Sequence, residues 1–315
     1  MATPREVHVG RDGWLFWTGD PDFKTSFYKT GYRRFRWRTW RLVWFWLRRI
    51  ETRARRCRAL GARYVQAFAP DKLSVYADKV TGEQRVDPRC GVAARLARWS
   101  PHVVDLVAPL TSARAGADTY LRTDTHWTSH GYLAAYLTLC RGLGARPAVN
   151  VAAASHEPRT VYGDLGRPLD APPEAGTELR FAPCARRVSA NALVELRERL
   201  HGAEWAPGLM VGSRIVFAND DADADARRLL LFGDSYTFHA TGLAVLMAET
   251  FCEVHALWSA SLDWAYLERM RPDLVLQVTA ERFTFFVEPD GLDVEAFAAT
   301  RVAAYESPAA PSASA

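Results

Sequence analysis

No C-x-x-C pair occurs in these 315 residues, and the five cysteines, Cys57, Cys90, Cys140, Cys184 and Cys252, are scattered and odd in number. That spacing excludes a disulfide framework and the usual structural zinc sites. Reduced thiols packed as small apolar residues are expected instead. No apolar run approaches the ~20 residues that cross a bilayer. Met1 to His8 contain no apolar core of the kind that marks a signal peptide. As given, the chain reads as soluble and cytoplasmic. Acidic residues are almost missing from one segment: between Gly31 and Arg63, twelve arginines accompany a single acid, Glu51. The net charge of +4 therefore describes a local basic patch. No nucleic-acid recognition motif accompanies it, so a nucleic-acid partner is not expected. Internal repeats are absent too.

What is present is an alternation of helix and strand signals. Val7 to Phe16, turning at Gly10-Arg11-Asp12-Gly13, reads as a hairpin. Tyr32 to Leu60 reads as a long helix ended by Gly61. Arg63 to Pro70 and His102 to Leu106 read as strands, Gly91 to Trp99 and Ser129 to Leu143 as helices, the latter capped by Thr128 or Ser129. Further on come the apolar strand Leu229 to Phe232, strands near Cys252–Leu257 and Leu274–Val278, and a helix around Ala265–Met270. This pattern predicts an α/β fold with a mostly parallel sheet flanked by helices. Between about 150 and 226 glycine and proline recur. Short strands at Glu178–Phe181 and Arg214–Phe217 make that stretch a β-rich insertion. One domain over 1–305 and a disordered Ser/Ala/Pro-rich tail over 306–315 complete the expectation.

Chemistry centres on Gly233-Asp234-Ser235-Tyr236, at the turn from that apolar strand into a helix. Parallel sheets expose side chains at the carboxyl ends of their strands, and a helix start offers unpaired N–H groups to developing negative charge. Ser235 is thus a candidate nucleophile, with its own N–H a candidate oxyanion donor. A serine needs a base held by a third group. Thr123-Asp124-Thr125-His126-Trp127-Thr128 supplies one, because an extended backbone would put Asp124 and His126 on one face. His239, one helical turn past Ser235, is the rival base. Asp124, His126 and His130 form a conceivable metal triad. They lack the intervening glutamate of a His-Glu-x-x-His site, and no metal or cofactor is expected.

These landmarks resemble the SGNH (GDSL-type) hydrolases, whose serine block is Gly-Asp-Ser after an apolar strand. Ordinary members place that block first and an Asp-x-x-His block last; here Asp-x-His precedes the serine. This circularly permuted order is similar to the SGNH-like domain of alginate O-acetyltransferases and related polysaccharide-acetylating proteins. Val9-Gly10-Arg11-Asp12-Gly13-Trp14-Leu15-Phe16, Gly163-Asp164-Leu165-Gly166 and Arg271-Pro272-Asp273-Leu274 running to Glu281-Arg282 agree with it. The resemblance spans roughly Val7 to Phe286. It implies an SGNH (flavodoxin-like) fold with Ser235 as nucleophile, His126 as base and Asp124 as orienting acid. It also implies an acetyl donor, a carbohydrate or polysaccharide acceptor and a periplasmic location as the alternative to the cytoplasm. Tyr236, Trp127 and Arg282 are expected to border substrate, Arg282 by contacting an acidic sugar or else by pairing with a neighbouring acid. A carbohydrate acetylesterase using the same triad and a non-catalytic glycan-binding protein are the alternatives.

One further segment stands out, the Arg/Trp-rich helix 32–50. At 3.6 residues per turn Trp37, Trp40, Val43, Trp44, Leu47 and Ile50 share a broad face. A core helix with a solvated arginine face is the simpler reading. The functional one is contact with a membrane or protein partner.

Overall fold

The computed structural model describes residues 6–18, 36–82, 87, 89, 91–201, 207–239 and 241–307. Along the chain run β1 (Val7–Val9), β2 (Leu15–Trp17), α1 (Arg36–Ala59), β3 (Arg63–Ala69), α2 (Lys72–Val75), α3 (Val92–Trp99) and β4 (Val103–Val104). They are followed by α4 (Val107–Ala113), α5 (Ser129–Leu143), α6 (Val149–Ala152), β5 (Ser155–Val161), β6 (Glu174–Arg180), β7 (Ala185–Ala190) and α7 (Ala192–His201). The last third holds β8 (Arg214–Asn219), β9 (Asp225–Gly233), α8 (Ser235–Phe238), α9 (Leu243–Thr250), β10 (Phe251–Trp258), α10 (Trp264–Met270), β11 (Leu274–Ala280) and α11 (Val294–Glu306).

Seven strands make one sheet in the order β4-β3-β11-β9-β10-β8-β7. The first five are parallel to their neighbours, while β8 and β7 extend the β10 side antiparallel. Successive strand side chains point to opposite faces, and the core divides accordingly. Val65, Ala67, Leu229, Leu231, Leu276 and Val278 pack with α5 and α9. Their alternates Tyr64, Phe68, Leu230, Phe232 and Val275 pack with α1, α3 and α10. A sheet covered on both faces tolerates an uninterrupted apolar strand such as Leu229–Phe232. From β9 the chain passes to β10 on one side and then returns to β11 on the other. The carboxyl end of β9, where Ser235 begins, is therefore a topological switch point, the place where open α/β sheets form a crevice.

Several expectations change. The β-rich stretch divides: β5 and β6 form a separate antiparallel hairpin, whereas β7 and β8 belong to the main sheet. The long helix buries part of its expected face, Val43 and Ile50, but is rotated toward Trp46. Val43, Trp46, Ile50, Ala54 and Cys57 are buried, but Trp40 and Trp44 remain 41% and 49% exposed. Two polar anchors account for this rotation. Trp46 donates its indole N–H to the Thr284 carbonyl at 2.8 Å, and Arg53 is buried against Asp290 at 2.7 Å. Residues 32–35 of that helix lie outside the described residues, as does Cys90. Cys57 and Cys140 pack as expected, while Cys184 is exposed. At the C-terminus α11 reaches Glu306, and residues 308–315 of the expected tail are outside the description.

Gly233 shows how tightly the strand-to-helix turn is drawn. A Cβ there would lie 1.9 Å from the Thr237 hydroxyl oxygen and 2.7 Å from its Cβ. Gly233→Ala is expected to cost about 1–3 kcal/mol through overpacking, part of it recovered by adding Thr237→Ala. Urea unfolding of the three proteins checks this; an unchanged midpoint in the single variant contradicts it.

Candidate active site

Asp234 fixes the serine turn. One of its carboxylate oxygens caps the helix by accepting the Tyr236 N–H at 3.1 Å, and the other accepts the Ala280 N–H at 2.7 Å from the end of β11. With Tyr236 capped, the Ser235 N–H is left at the first turn, where no intrahelical acceptor exists. Ser235 is half-buried, and its hydroxyl bonds to no described residue. A Ser235–His126 hydrogen bond is thus not formed here; in substrate-free sites such bonds are often long and tighten on binding.

Asp124 and His126 meet through a local turn, not through the extended backbone expected from their spacing. The Asp124 Oδ1 accepts both the His126 backbone N–H and its Nδ1–H, each at 2.8 Å. This is a side chain mimicking a turn's carbonyl, which aspartate does readily. The other oxygen accepts the Asp164 N–H at 3.0 Å. Asp164 in turn accepts the Thr125 N–H at 2.7 Å and the Thr125 hydroxyl at 2.6 Å. Leu165 and Gly166 donate N–H bonds to the Thr123 carbonyl. Gly163 must be glycine for this, since a Cβ would stand 2.1 Å from that same carbonyl oxygen. The Glu174 carboxylate accepts the N–H groups of Arg122 and Thr123 at 2.9 and 2.7 Å. Buried Lys72 donates to the carbonyls of Leu15 and Arg122, both at 2.8 Å.

Electrostatics follow from this frame. Burial alone would lower the His126 pKa, but the Asp124 hydrogen bond and charge outweigh it and raise it. Asp124 is held below the usual carboxylate range: burial opposes ionisation, and the His126 bond and backbone donors overcome it. With Nδ1–H given to Asp124, Nε2 carries the basic lone pair. That atom is buried and has no hydrogen-bond partner among the described residues. A buried polar atom left so costs about 1–3 kcal/mol. Asp124, His126 and Asp164 also place one potential ligand atom each within 4.8 Å of one another. Their carboxylate oxygens already accept the N–H and O–H donors just named, so this set fits a hydrogen-bonded frame and not a cation. His130 does not join them; it stacks on His156 at 3.7 Å.

Beside His126 lies a small cavity of about 40 Å³, walled by Leu121, Tyr132, His239 and Thr241 and by Arg159, Val161 and Thr177 of the β5–β6 hairpin. The expected substrate-bordering residues sit differently from one another. Trp127 and Tyr236 are 2% and 0% exposed. The Tyr236 ring lies 5.1 Å from the His126 ring and 4.6 Å from Trp127, and its hydroxyl donates to the Thr125 carbonyl at 2.7 Å. Both act as floor beneath the histidine, although Trp127 also borders the cavity. Arg282 pairs with Asp71 at 3.3 Å, the ion-pair reading of the two, with its guanidinium 5.7 Å from the Tyr236 ring centre.

The comparisons agree with this architecture. Residues 7–218 match the family model of the SGNH hydrolase-like domain, acetyltransferase AlgX. The chain belongs to that family. It is 30% identical over 248 residues to the probable alginate O-acetylase AlgJ of Pseudomonas aeruginosa. The match covers 73% of this chain and 55% of that protein, so the chain spans about half the length of its curated relative. The O-acetyltransferase domain of Pseudomonas putida AlgJ superposes with a TM-score of 0.58 at 19% identity, over 94% of this chain and 98% of that one. Bacillus cereus PatB1 with a sulfonyl adduct gives 0.60 at 15%, over 88% and 95%. These structures establish the shared SGNH-like fold. No helix among the described residues is long and apolar enough to cross a membrane.

In this member of the family the groups that hold the His126 loop were not singled out from the sequence. Lys72 and Glu174 lie 50 and 51 residues from the loop positions they grip, beyond any local pattern. Asp164 sat in a recognised landmark without an assigned role. Asp164→Ala strands the Thr125 N–H and hydroxyl, and should destabilise the protein by about 2–4 kcal/mol. It should also broaden the His126 ring resonances by NMR; sharp, unshifted resonances would refute the bracing role.

Proposed function

We propose that the chain is an SGNH-like O-acetyltransferase that moves an acetyl group through Ser235 to a hydroxyl of a carbohydrate polymer. The carrying observation is the Asp124–His126 pair beside the serine turn at the switch point, whose buried Nε2 has no hydrogen-bond partner among the described residues. An acetyl donor acylates Ser235 as His126 takes the hydroxyl proton, and Asp124 stabilises the imidazolium. His126 then returns the proton to the leaving group. In the second half-reaction the sugar hydroxyl attacks the acyl carbon while giving its proton to His126. The bond to Ser235 Oγ breaks, and Oγ regains a proton. His239 is the weaker base: burial, then the charges of His126 and Arg159, lower its pKa to about 4, and Asp124 compensates only in part. The esterase alternative has water as acceptor. If the acceptor is an exported polymer, the periplasmic alternative is favoured over the cytoplasm.

For a partner, we infer that the exposed aromatic patch on α1 meets an anionic lipid surface. Trp40 stacks on Trp99 at 4.8 Å, with Arg95 and Arg48 set 4.9 and 4.7 Å from the Trp40 and Trp44 rings. Aromatic rings flanked by arginines suit the headgroup region.

Ser235→Ala and His126→Ala should each lower acetyl transfer roughly ten-thousand-fold, read by product analysis with an acetylated donor and a sugar acceptor. Survival of transfer in Ser235→Ala refutes the acyl-enzyme, and loss in His239→Ala alone reassigns the base. Free acetate without acetylated sugar in wild type would establish the esterase. For pH, Nε2 must be deprotonated to act, so a raised His126 pKa moves the acid limb of the acylation profile upward. That limb should fall above the ordinary 6.5, and Asp124→Asn should lower it. On the surface, Trp40→Ser with Trp44→Ser should weaken binding to phosphatidylglycerol vesicles by about tenfold or more; equal binding by both proteins favours a protein partner.

A further inference from the structure

His130 and His156 stack face to face, with ring centroids 3.7 Å apart and planes 11° from parallel. The pair joins two separate elements, since His130 stands in the first turn of α5 and His156 on β5. Both are part-buried. β5 and β6 form a two-stranded sheet of their own. Such a hairpin is marginal alone, so side-chain contacts must hold it in place. Several gather around the stack. The Ser129 hydroxyl lies 2.7 Å from His156 Nδ1 and 2.5 Å from the Thr177 hydroxyl. Leu179, the cross-strand partner of His156, is buried in the core. Ser129 and Thr177 also border the cavity beside His126, whose other walls from the hairpin are Arg159 and Val161.

We propose that the His130–His156 stack is an acid-sensitive latch, which holds the β5–β6 hairpin against α5 at neutral pH and releases it when both rings take a proton. The surroundings leave that charge unopposed. The first turn of α5 carries no acid. On the hairpin, Glu157, Glu178 and Arg180 alternate to the face away from His156. There Arg180 pairs with Glu157 at 2.9 Å and with Glu178 at 3.5 Å. Arg159, another alternate, adds only positive charge. Burial, then the charge of His130, lowers the His156 pKa, and no acid acts against them. The neighbouring hydroxyls do not resist protonation. With His156 neutral, the Ser129 hydroxyl donates to Nδ1 and accepts from Thr177. With His156 charged, Nδ1–H donates to Ser129, which then donates to Thr177. Both hydrogen bonds survive, and the second positive charge is what the contact cannot absorb. One cation stacked on a neutral ring is tolerated; two like charges at this distance repel. Released rings bind protons near the ordinary 6.5, whereas the stacked pair binds its second proton only at lower pH. Docking is therefore at full strength above about 6.5 and weakens as pH falls below it. Release would free the wall made by Arg159, Val161 and Thr177 and open the space beside His126 to solvent.

Backbone amide hydrogen exchange, corrected for intrinsic rates and read by mass spectrometry at about pH 7.5 and about pH 5, tests the latch in wild type, His130→Phe and His156→Gln. Phenylalanine keeps a stacking ring without the charge, and glutamine keeps a partner for Ser129. In wild type the amides of Ser155–Val161 and Glu174–Arg180 should lose about tenfold or more of their protection at the lower pH, because release takes up protons on both rings. Each variant has one titrating ring left and should lose about threefold or less. Amides of β9 and β11 should keep their protection, which separates release from global unfolding. Unchanged hairpin protection in wild type, a loss of wild-type size in either variant, or an equal loss across β9 and β11 overturns the latch. The readout is independent of the acyl-transfer reading, whose own failure would show as a wild type that never carries acetyl on Ser235.

Discussion

The structure turns on keeping one irregular loop, residues 122–126, fixed over the carboxyl end of the sheet. Loop backbone near a core must find a partner for each N–H and C=O; Asp124 takes the His126 N–H within the loop, and most of the other partners come from distant elements. Lys72 of α2, Glu174 of β6, Asp164 and the residues after it, and Tyr236 of α8 all converge on it. Several sequence landmarks become intelligible as parts of that grip. Trp14 and Phe16 lie under the Lys72 ammonium, within 5.6 and 5.9 Å of their ring centres. The ammonium also satisfies the carbonyl of Leu15 between them.

The grip has an electrostatic cost that sets its composition. Asp124, Asp164 and Glu174 bring three carboxylates together, and one buried lysine faces them without a close ion pair. Burial depresses the Lys72 pKa to about 8, while those three acids pull the other way. An ordinary lysine would lose its proton in such a site; the acids keep this one charged at neutral pH. Taking those acids away would leave a buried ammonium with no opposite charge near it, a strongly destabilising change.

Legibility from sequence tracked the range of each interaction. The apolar runs of β3, β9 and β11 are local signals, and the fold class and the location of Ser235 followed from them. Asp124 and His126 were paired correctly but for the wrong geometric reason, since the aspartate makes the turn rather than riding on a strand. The inward side of α1 was read only in part, through Val43 and Ile50. Periodicity favoured Trp40 and Trp44, and the deciding contacts, Trp46 to Thr284 and Arg53 to Asp290, span 238 and 237 residues. α7 and α11 went unread for a related reason. They bury their apolar side on one another across a hundred residues of sequence, through Leu193, Leu196 and Ala298.

The same distribution of contacts bears on why the serine and histidine do not touch. Both neighbours of Ser235 are secured, Asp234 to the end of β11 and Tyr236 to the carbonyl of Thr125. His126 is secured by its backbone and by Nδ1. With each backbone held, the freedom left to Ser235 is rotation about its Cα–Cβ bond, among staggered wells separated by little energy. Any hydrogen bond made to Nε2 would remove one unpaired buried atom and its cost. On the proposed acyl-transfer reading, the serine hydroxyl and an incoming sugar hydroxyl would each in turn meet that one unpaired nitrogen, so the same histidine would serve both half-reactions.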